Sequence, residues 1–298
     1  MPTDKTIQDH HVIQFSRNVE LLLQQKQPRF TGTFETMTAQ GEKAQVVLQF
    51  GEVEMENFNP GSGEGQWMGD TKWGSIEHHQ RWVFPSDFSL SLPISKPDPG
   101  RMLVDPRSPY AEAMRAAYAR KCDDLIINAA TADARIGRYD DMRATPLPAG
   151  QIIADQNAGL TIDKLIEARE MLIAANNDPN EPRYLACSER QISNLLSTTE
   201  VQSVDYNSVK ALVHGEVDSF MGFKFISTER LLMTPGSPNV RHCFAWVKSG
   251  LKFCTWNPLD FKADQRPDKN YIWQLWESAT IGATRTQEKK IVQINCIE

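Results

Sequence analysis

Over residues 108–130 apolar side chains recur at three- and four-residue steps: Tyr110, Met114, Ala117, Tyr118, Cys122, Leu125, Ile126 and Ala129. Glu112, Arg115, Arg120, Lys121, Asp123 and Asp124 fall mostly off that stripe. Ser108 suits an N-cap, Pro109 suits the first helical position, and no Gly or Pro interrupts the run before Gly137. The pattern predicts one amphipathic helix about 33 Å long at roughly 1.5 Å per residue. A helix well beyond the usual length of about 11–12 residues works as a beam on which a sheet can lie.

Elsewhere the periodicity changes. Residues 4–27 read as a helix, with Asp4 as its cap, Ile7, Val12, Phe15, Val19, Leu22 and Leu23 apolar, and Pro28 as its stop. Residues 45–50 and 81–94 read as strands, the second with alternation at Phe88, Leu90 and Leu92. Between them a Gly-rich tip carries Trp67 and Trp73. An isolated two-stranded ribbon is marginal in water, so this excursion needs a surface to lie on, its own domain or another subunit. Residues 131–150, with two prolines and two glycines, read as a loop. An α+β segment follows. It has a helix over 161–176 capped by Thr161 and with Ile162, Leu165, Ile166, Met171 and Leu172 inward. A buried strand over 183–187 leads to a helix opened by a Ser188–Gln191 capping box. Then come a short helix over 206–214, a strand over 217–226 and a hairpin over 240–256 turning at Ser249-Gly250. Residues 268–284 and 290–297 are β-rich and are expected to return against the beam helix.

Composition narrows the function classes. The chain has 298 residues, 40% of them hydrophobic, and a net charge of −6, so it holds a sizeable core and lacks the basic balance of a general nucleic-acid binder. Cys122, Cys187, Cys243, Cys254 and Cys296 are scattered without CxxC spacing and read as reduced, mostly buried thiols. The polar N-terminus does not read as a signal peptide, and no apolar run approaches the roughly 20 residues of a membrane span. His10–His11 and His78–His79 are adjacent pairs without a companion ligand at i+4, so no metal site is assigned. No GxSxG, HExxH, Walker or GxGxxG motif is present, and neither Cys187 nor Ser188 has an evident base partner. No catalytic residue, cofactor or enzymatic activity is expected.

The order of parts resembles the major capsid protein of tailed bacteriophages, with the Hong Kong 97-type capsid fold. The likeness is carried by LLLQQKQPRF (21–30), DPRSPYAEAMRAAYARKCDDLIINA (105–129), LPAGQII (147–153) and LTIDKLIEAREML (160–172). The stretch over 195–231 and ATIGATRTQEKKIVQI (279–294) complete it. No piece is a catalytic signature; order and spacing give the specificity. The resemblance implies an α+β fold with an N-terminal arm (1–30) and an extended loop over a neighbour (31–95). It implies a peripheral domain with the spine helix (96–145 and 259–298) and an axial domain (146–258). It further implies self-assembly, through hexamers and pentamers, into the icosahedral shell enclosing a double-stranded DNA genome held without sequence-specific binding.

The implied partners are copies of the chain, a separate scaffolding protein, a portal protein at one vertex and a decoration or cement protein. No membrane is among them. The implied place is the virion, with assembly in the host cytoplasm. Only about 30 residues precede the ribbon, so neither a fused scaffold nor its maturation cleavage is expected. Phe15, Leu22 and Leu23 on the arm and Trp67 and Trp73 at the tip are the expected subunit-interface residues, since aromatic residues are favoured at interfaces. Two alternatives share part of this pattern: an encapsulin-like nanocompartment shell and a virion decoration protein.

Overall fold

The computed structural model describes residues 24–50, 53, 55, 75–76, 78–94, 107–138, 141–197, 219–236 and 239–298. In chain order its elements begin with β1 (Glu35–Thr38), β2 (Ala44–Phe50), β3 (His78–Val83), β4 (Ser86–Ile94) and helix α1 (Arg107–Thr131). Then come β5 (Ala134–Arg138), β6 (Asp141–Thr145), β7 (Ile152–Ile153), α2 (Ile162–Ala174), β8 (Arg183–Cys187) and α3 (Glu189–Leu196). The remainder is β9 (Ser219–Phe220), β10 (Phe223–Ser227), β11 (Met233–Thr234), β12 (Val240–Val247), β13 (Leu251–Arg266), β14 (Ile272–Arg285) and β15 (Ile291–Ile297). The strands form three sheets, ordered β1-β13-β14-β4, β2-β3-β5-β6 and β7-β15-β12-β8-β10-β9, with β11 beside β12 in the last.

The described residues fall into two compact units. The first draws on the described residues within 1–28, 88–121 and 259–279. Its core is Ile94, Met114 and Leu275, with Leu92, Tyr110 and Trp273 packed around them. Here β14 meets the beam helix as expected. The end of the arm lies along the same helix: Lys26 Nζ is 2.7 Å from Glu112 Oε1, and Arg120 Nη1 donates to Gln24 Oε1 at 2.9 Å.

The second unit draws on residues 29–87, 122–258 and 280–298. Its centre is the seven-stranded sheet, in which β8 is buried along its whole length and β12 over Cys243, Phe244, Ala245, Trp246 and Val247. Helix α2 covers β15 with Leu165, Ala168 and Leu172. Thr161 caps it, accepting from the Lys164 backbone N–H at 3.4 Å. The expected inward Ile166 is instead exposed, and Lys164 takes an inward place. The Lys164 ammonium donates to the carbonyls of Asp155, Ala158, Gly159 and Asn295 at 2.7–3.0 Å, which satisfies a charge that burial would otherwise disfavour.

Several local expectations change. Residues 81–94 break at Phe84-Pro85 into β3 and β4, which belong to different sheets. Residues 134–145 form the β5–β6 hairpin rather than a loop; its many exposed charges hide a strand pair with one wet face. Residues 217–226 are not one strand: Met221 and Gly222 take positive φ (53° and 84°) in a two-residue turn between β9 and β10. The turn at Ser249-Gly250 does not close a hairpin, because β12 and β13 enter different sheets. Strand β15 lies between β7 and β12 rather than against the beam.

The capping box at Ser188 is not formed. The Ser188 hydroxyl donates to Glu298 Oε1 at 2.5 Å, and Gln191 serves Leu160 N–H and the Ile297 carbonyl. A carboxylate is the stronger acceptor and takes the hydroxyl. Residues 24–27 are not helical, and the rest of the expected 4–27 helix and the 206–214 helix lie outside the described residues.

Candidate functional site

All five expected interface residues, Phe15, Leu22, Leu23, Trp67 and Trp73, lie outside the described residues. The structure does describe where the arm and the ribbon join the body. Those two roots combine residues of the expected strands with charged side chains that the apolar pattern did not single out.

At the arm's root, Asp123 of α1 is fully buried. Its carboxylate accepts the backbone N–H of Arg29 at 3.2 and 3.0 Å and that of Phe30 at 3.4 Å. A charged acceptor on otherwise orphaned backbone donors makes a strong fixing point. The Phe30 ring is also fully buried, 6.1 Å from Phe244 and 5.7 Å from Trp246. Arg29 donates to the Ser227 carbonyl at 2.8 Å. The chain therefore leaves the arm at a rigid point.

At the ribbon's root, β2 and β3 pair from Ala44↔Val83 to Phe50↔His78, with an irregularity between Gln45 and Val47. The ribbon is not isolated there. Arg81 and Trp82 of β3 pair with Ile136 and Arg135 of β5, and Trp82 Nε1 donates to the Gly137 carbonyl at 2.8 Å. Below, Ala39, Ala44, Val46, Val83 and Cys254 form one apolar cluster. Gly282 closes the seat, since a Cβ there would stand 2.6 Å from the Phe84 carbonyl oxygen.

A buried charge cluster locks the same root. Arg81 donates to Glu288, and Arg285 donates to Glu288 and to the carbonyls of Ala132 and Thr145. Arg81 and Arg285 are almost wholly buried. Burial alone would raise the Glu288 pKa, but the hydrogen bond and charge of Arg81 outweigh it and hold that carboxyl below its ordinary value. Sequence reasoning missed this cluster because its members come from three distant segments. The one signal available was a charged residue, Arg81, at the head of an otherwise apolar run.

Three of the buried thiols are held in the protonated form. A hydrogen bond to Cys296, together with burial, keeps the Cys243 thiol well above its ordinary pKa. Burial also raises Cys187, and it lifts Cys254 to about 11. These are poor nucleophiles. Glu277 is buried and its pKa is raised by desolvation, which the charge of Arg115 opposes. Among the described residues no group of three His, Cys, Asp or Glu is arranged to hold a metal ion, and no helix is long and apolar enough to cross a membrane.

Residues 7–298 match the family model described as phage capsid protein. The chain belongs to the phage capsid protein family. Solved structures agree in fold with this capsid protein over nearly its whole length. The capsid of cyanophage P-SCSP1u matches with a TM-score of 0.72 at 18% identity, over 97% of this chain and 94% of that one. The capsid of Ralstonia phage GP4 gives 0.73 at 9% identity, over 97% and 95%. The cyanophage Pam1 capsid gives 0.73 at 10% identity, over 100% and 99%. No curated protein sequence matches the chain. The three sheets and the long helix are thus the Hong Kong 97-type α+β fold, and the chain is a bacteriophage major capsid protein with a structural role.

Proposed function

We propose that this capsid protein self-assembles into the icosahedral shell that encloses the double-stranded DNA genome of a tailed phage. The observation that carries the proposal is the family match over residues 7–298, joined to a fold shared with structures solved as capsids. In this reading, hexamers and pentamers build the shell. Residues 146–258 form the axial domain, joined by β15 of the same sheet, and residues 96–145 with β14 and the end of β13 form the peripheral domain. Residues 1–30 and 31–95 reach over neighbours, with Phe15, Leu22, Leu23, Trp67 and Trp73 as their contact points.

The rigid roots at Asp123 and Arg81–Glu288 suit that use. An arm or ribbon that must land on a neighbour has to leave its own body in a fixed direction. Each contact buries surface only on assembly, and at roughly 25 cal/mol per Å² a few hundred Å² contributes several kcal/mol before association costs. Ring contacts of this kind are heterologous and close by rotation. A scaffolding protein, a portal at one vertex and a decoration protein are the further partners, and assembly takes place in the host cytoplasm. The net charge of −6 has the sign that discourages the wall from adhering to its packaged polyanion.

Nuclease digestion of purified particles tests the enclosure of a genome. Protected double-stranded DNA is expected inside. Particles filled with protein and free of DNA would move the chain to the nanocompartment class.

A further inference from the structure

Strand β13 carries an edge that asks for a partner. Its first part is paired: Lys252, Phe253, Cys254 and Thr255 face β1. Beyond Thr255 no strand among the described residues covers that side, while β14 holds the other. Residues 260–270 are exposed without a break. At the tip, Asn270 and Tyr271 both take positive φ (53° and 56°), and Tyr271 is 57% exposed. A long, bare edge is a template for another strand unless it is guarded.

The charges on this edge are not a guard of one sign. Asp260, Lys262, Asp264 and Arg266 alternate along one face of the strand. With Gln274 and Trp276 of β14, Lys262, Asp264 and Arg266 line a shallow groove of about 260 Å³. Lys262 Nζ stands 5.6 Å from the Trp276 ring centroid and 3.2 Å from Asp260. Arg266 is held by Asp268 at 2.6 Å and Gln274 at 3.0 Å. Asp264 has no ion pair among the described residues.

We infer that this edge pairs antiparallel with the same edge of a second copy of the chain, centred on Ala263. The second copy is the partner that the shell reading supplies, so the inference rests on that reading. About Ala263, Lys262 faces Asp264 of the other copy and Asp260 faces Arg266, so all four charged strand positions meet the opposite sign. Moving the centre by one residue, to Lys262 or Asp264, sets like charge on like, and so does parallel in-register pairing. Opposite charges directly across an antiparallel pair stabilise it, and like charges destabilise it. The contact is isologous and joins copies in twos.

Disulfide trapping tests it. At the centre of such a pair the two Ala263 Cα atoms would be about 4.5–5.5 Å apart, within disulfide range. All five native cysteines are buried, so Ala263→Cys adds one exposed thiol. The variant is oxidised with diamide as assembled particles and as concentrated free subunits, and resolved on a non-reducing gel. Dimers and nothing larger are expected, with no dimer from the unsubstituted chain. Adding Asp264→Lys should cut the dimer yield about tenfold or more, since like-charge juxtaposition costs several kcal/mol. Adding Lys262→Asp to that variant should restore the yield, because the swapped pair is again complementary. Well-formed shells without dimers would overturn the pairing and leave the shell reading standing. Dimers indifferent to both charge changes would overturn the register. If no particles form from the unsubstituted chain, the shell reading fails, and the free-subunit arm still decides the edge.

Discussion

Asp123 shows how one residue can pin the backbone at Arg29 and Phe30. On the helix it sits one step from Cys122, and by type alone it belongs on the wet face. The structure buries it instead and gives its carboxylate two backbone donors, Arg29 N–H and Phe30 N–H. Replacing it with Ala removes a charged acceptor and orphans donors beside a buried ring. Such a change costs about 2–3 kcal/mol. Equilibrium urea unfolding of Asp123→Ala should show an unfolding free energy lower by that amount, read as a lower midpoint at unchanged m. An unchanged midpoint would mean that the root is held without the Asp123 carboxylate, by the Phe30 ring and the Arg29–Ser227 hydrogen bond. Lys164 teaches the same lesson. Residue type predicts a solvated charge, and only the convergence of four carbonyls on one ammonium explains its burial. Neither residue was legible in sequence, because their partners lie far along the chain or on the backbone.

At the scale of elements, local pattern served best where an element is long and one-faced. The beam helix spans 25 residues, close to its expected bounds, and Met114, Cys122 and Ile126 of its stripe are buried. Strands β8 and β2 were equally readable from their apolar runs. What failed was pairing. The runs over 81–94 and 240–256 carry the right local signals, yet each crosses from one sheet to another, which no local period records. The β5–β6 hairpin was masked by its charges, and the Arg81–Glu288–Arg285 cluster beside it was invisible because Arg81 lies far along the chain from Arg285 and Glu288.

That cluster carries a prediction about acid stability. The Glu288 pKa is depressed in the folded chain, so its stabilising contribution is complete above the ordinary carboxylate pKa. It is lost as pH falls from the ordinary carboxylate range through the depressed folded value. Glu288→Gln leaves two buried guanidinium groups without their carboxylate and should cost about 3–5 kcal/mol at neutral pH. The variant should also lose less stability than the parent on acidification, read as a flatter acid limb of Tm against pH. Parallel limbs for the two proteins would show that the carboxylate is not the group that titrates.

For the whole molecule, the proposal is that the arm and the ribbon find their receiving surfaces on neighbouring copies. A chain of this fold gains from an arm and a ribbon when neighbours are present to receive them. The contact points proposed for the ribbon's tip, Trp67 and Trp73, lie beyond the described residues, so they stand on sequence and family. Deleting residues 60–74 should leave the subunit folded, with a circular dichroism spectrum and melting curve close to the parent's, while closed shells no longer form. Normal shells from the deletion would remove the tip from the assembly contacts. The family itself was legible from order and spacing, since the succession of arm, ribbon, beam, α+β segment and closing strands is unusual even where each piece is ordinary. The proposed interfaces rest on residue type alone, because a surface that is buried only on assembly looks in sequence like any other mixed surface.

The most direct test of the central claim is electron microscopy of the protein expressed alone and together with a candidate scaffolding protein. Closed angular shells, or sheets and tubes of a hexamer lattice, are expected. A species that stays monomeric or dimeric in both conditions at high concentration would contradict a shell-forming subunit.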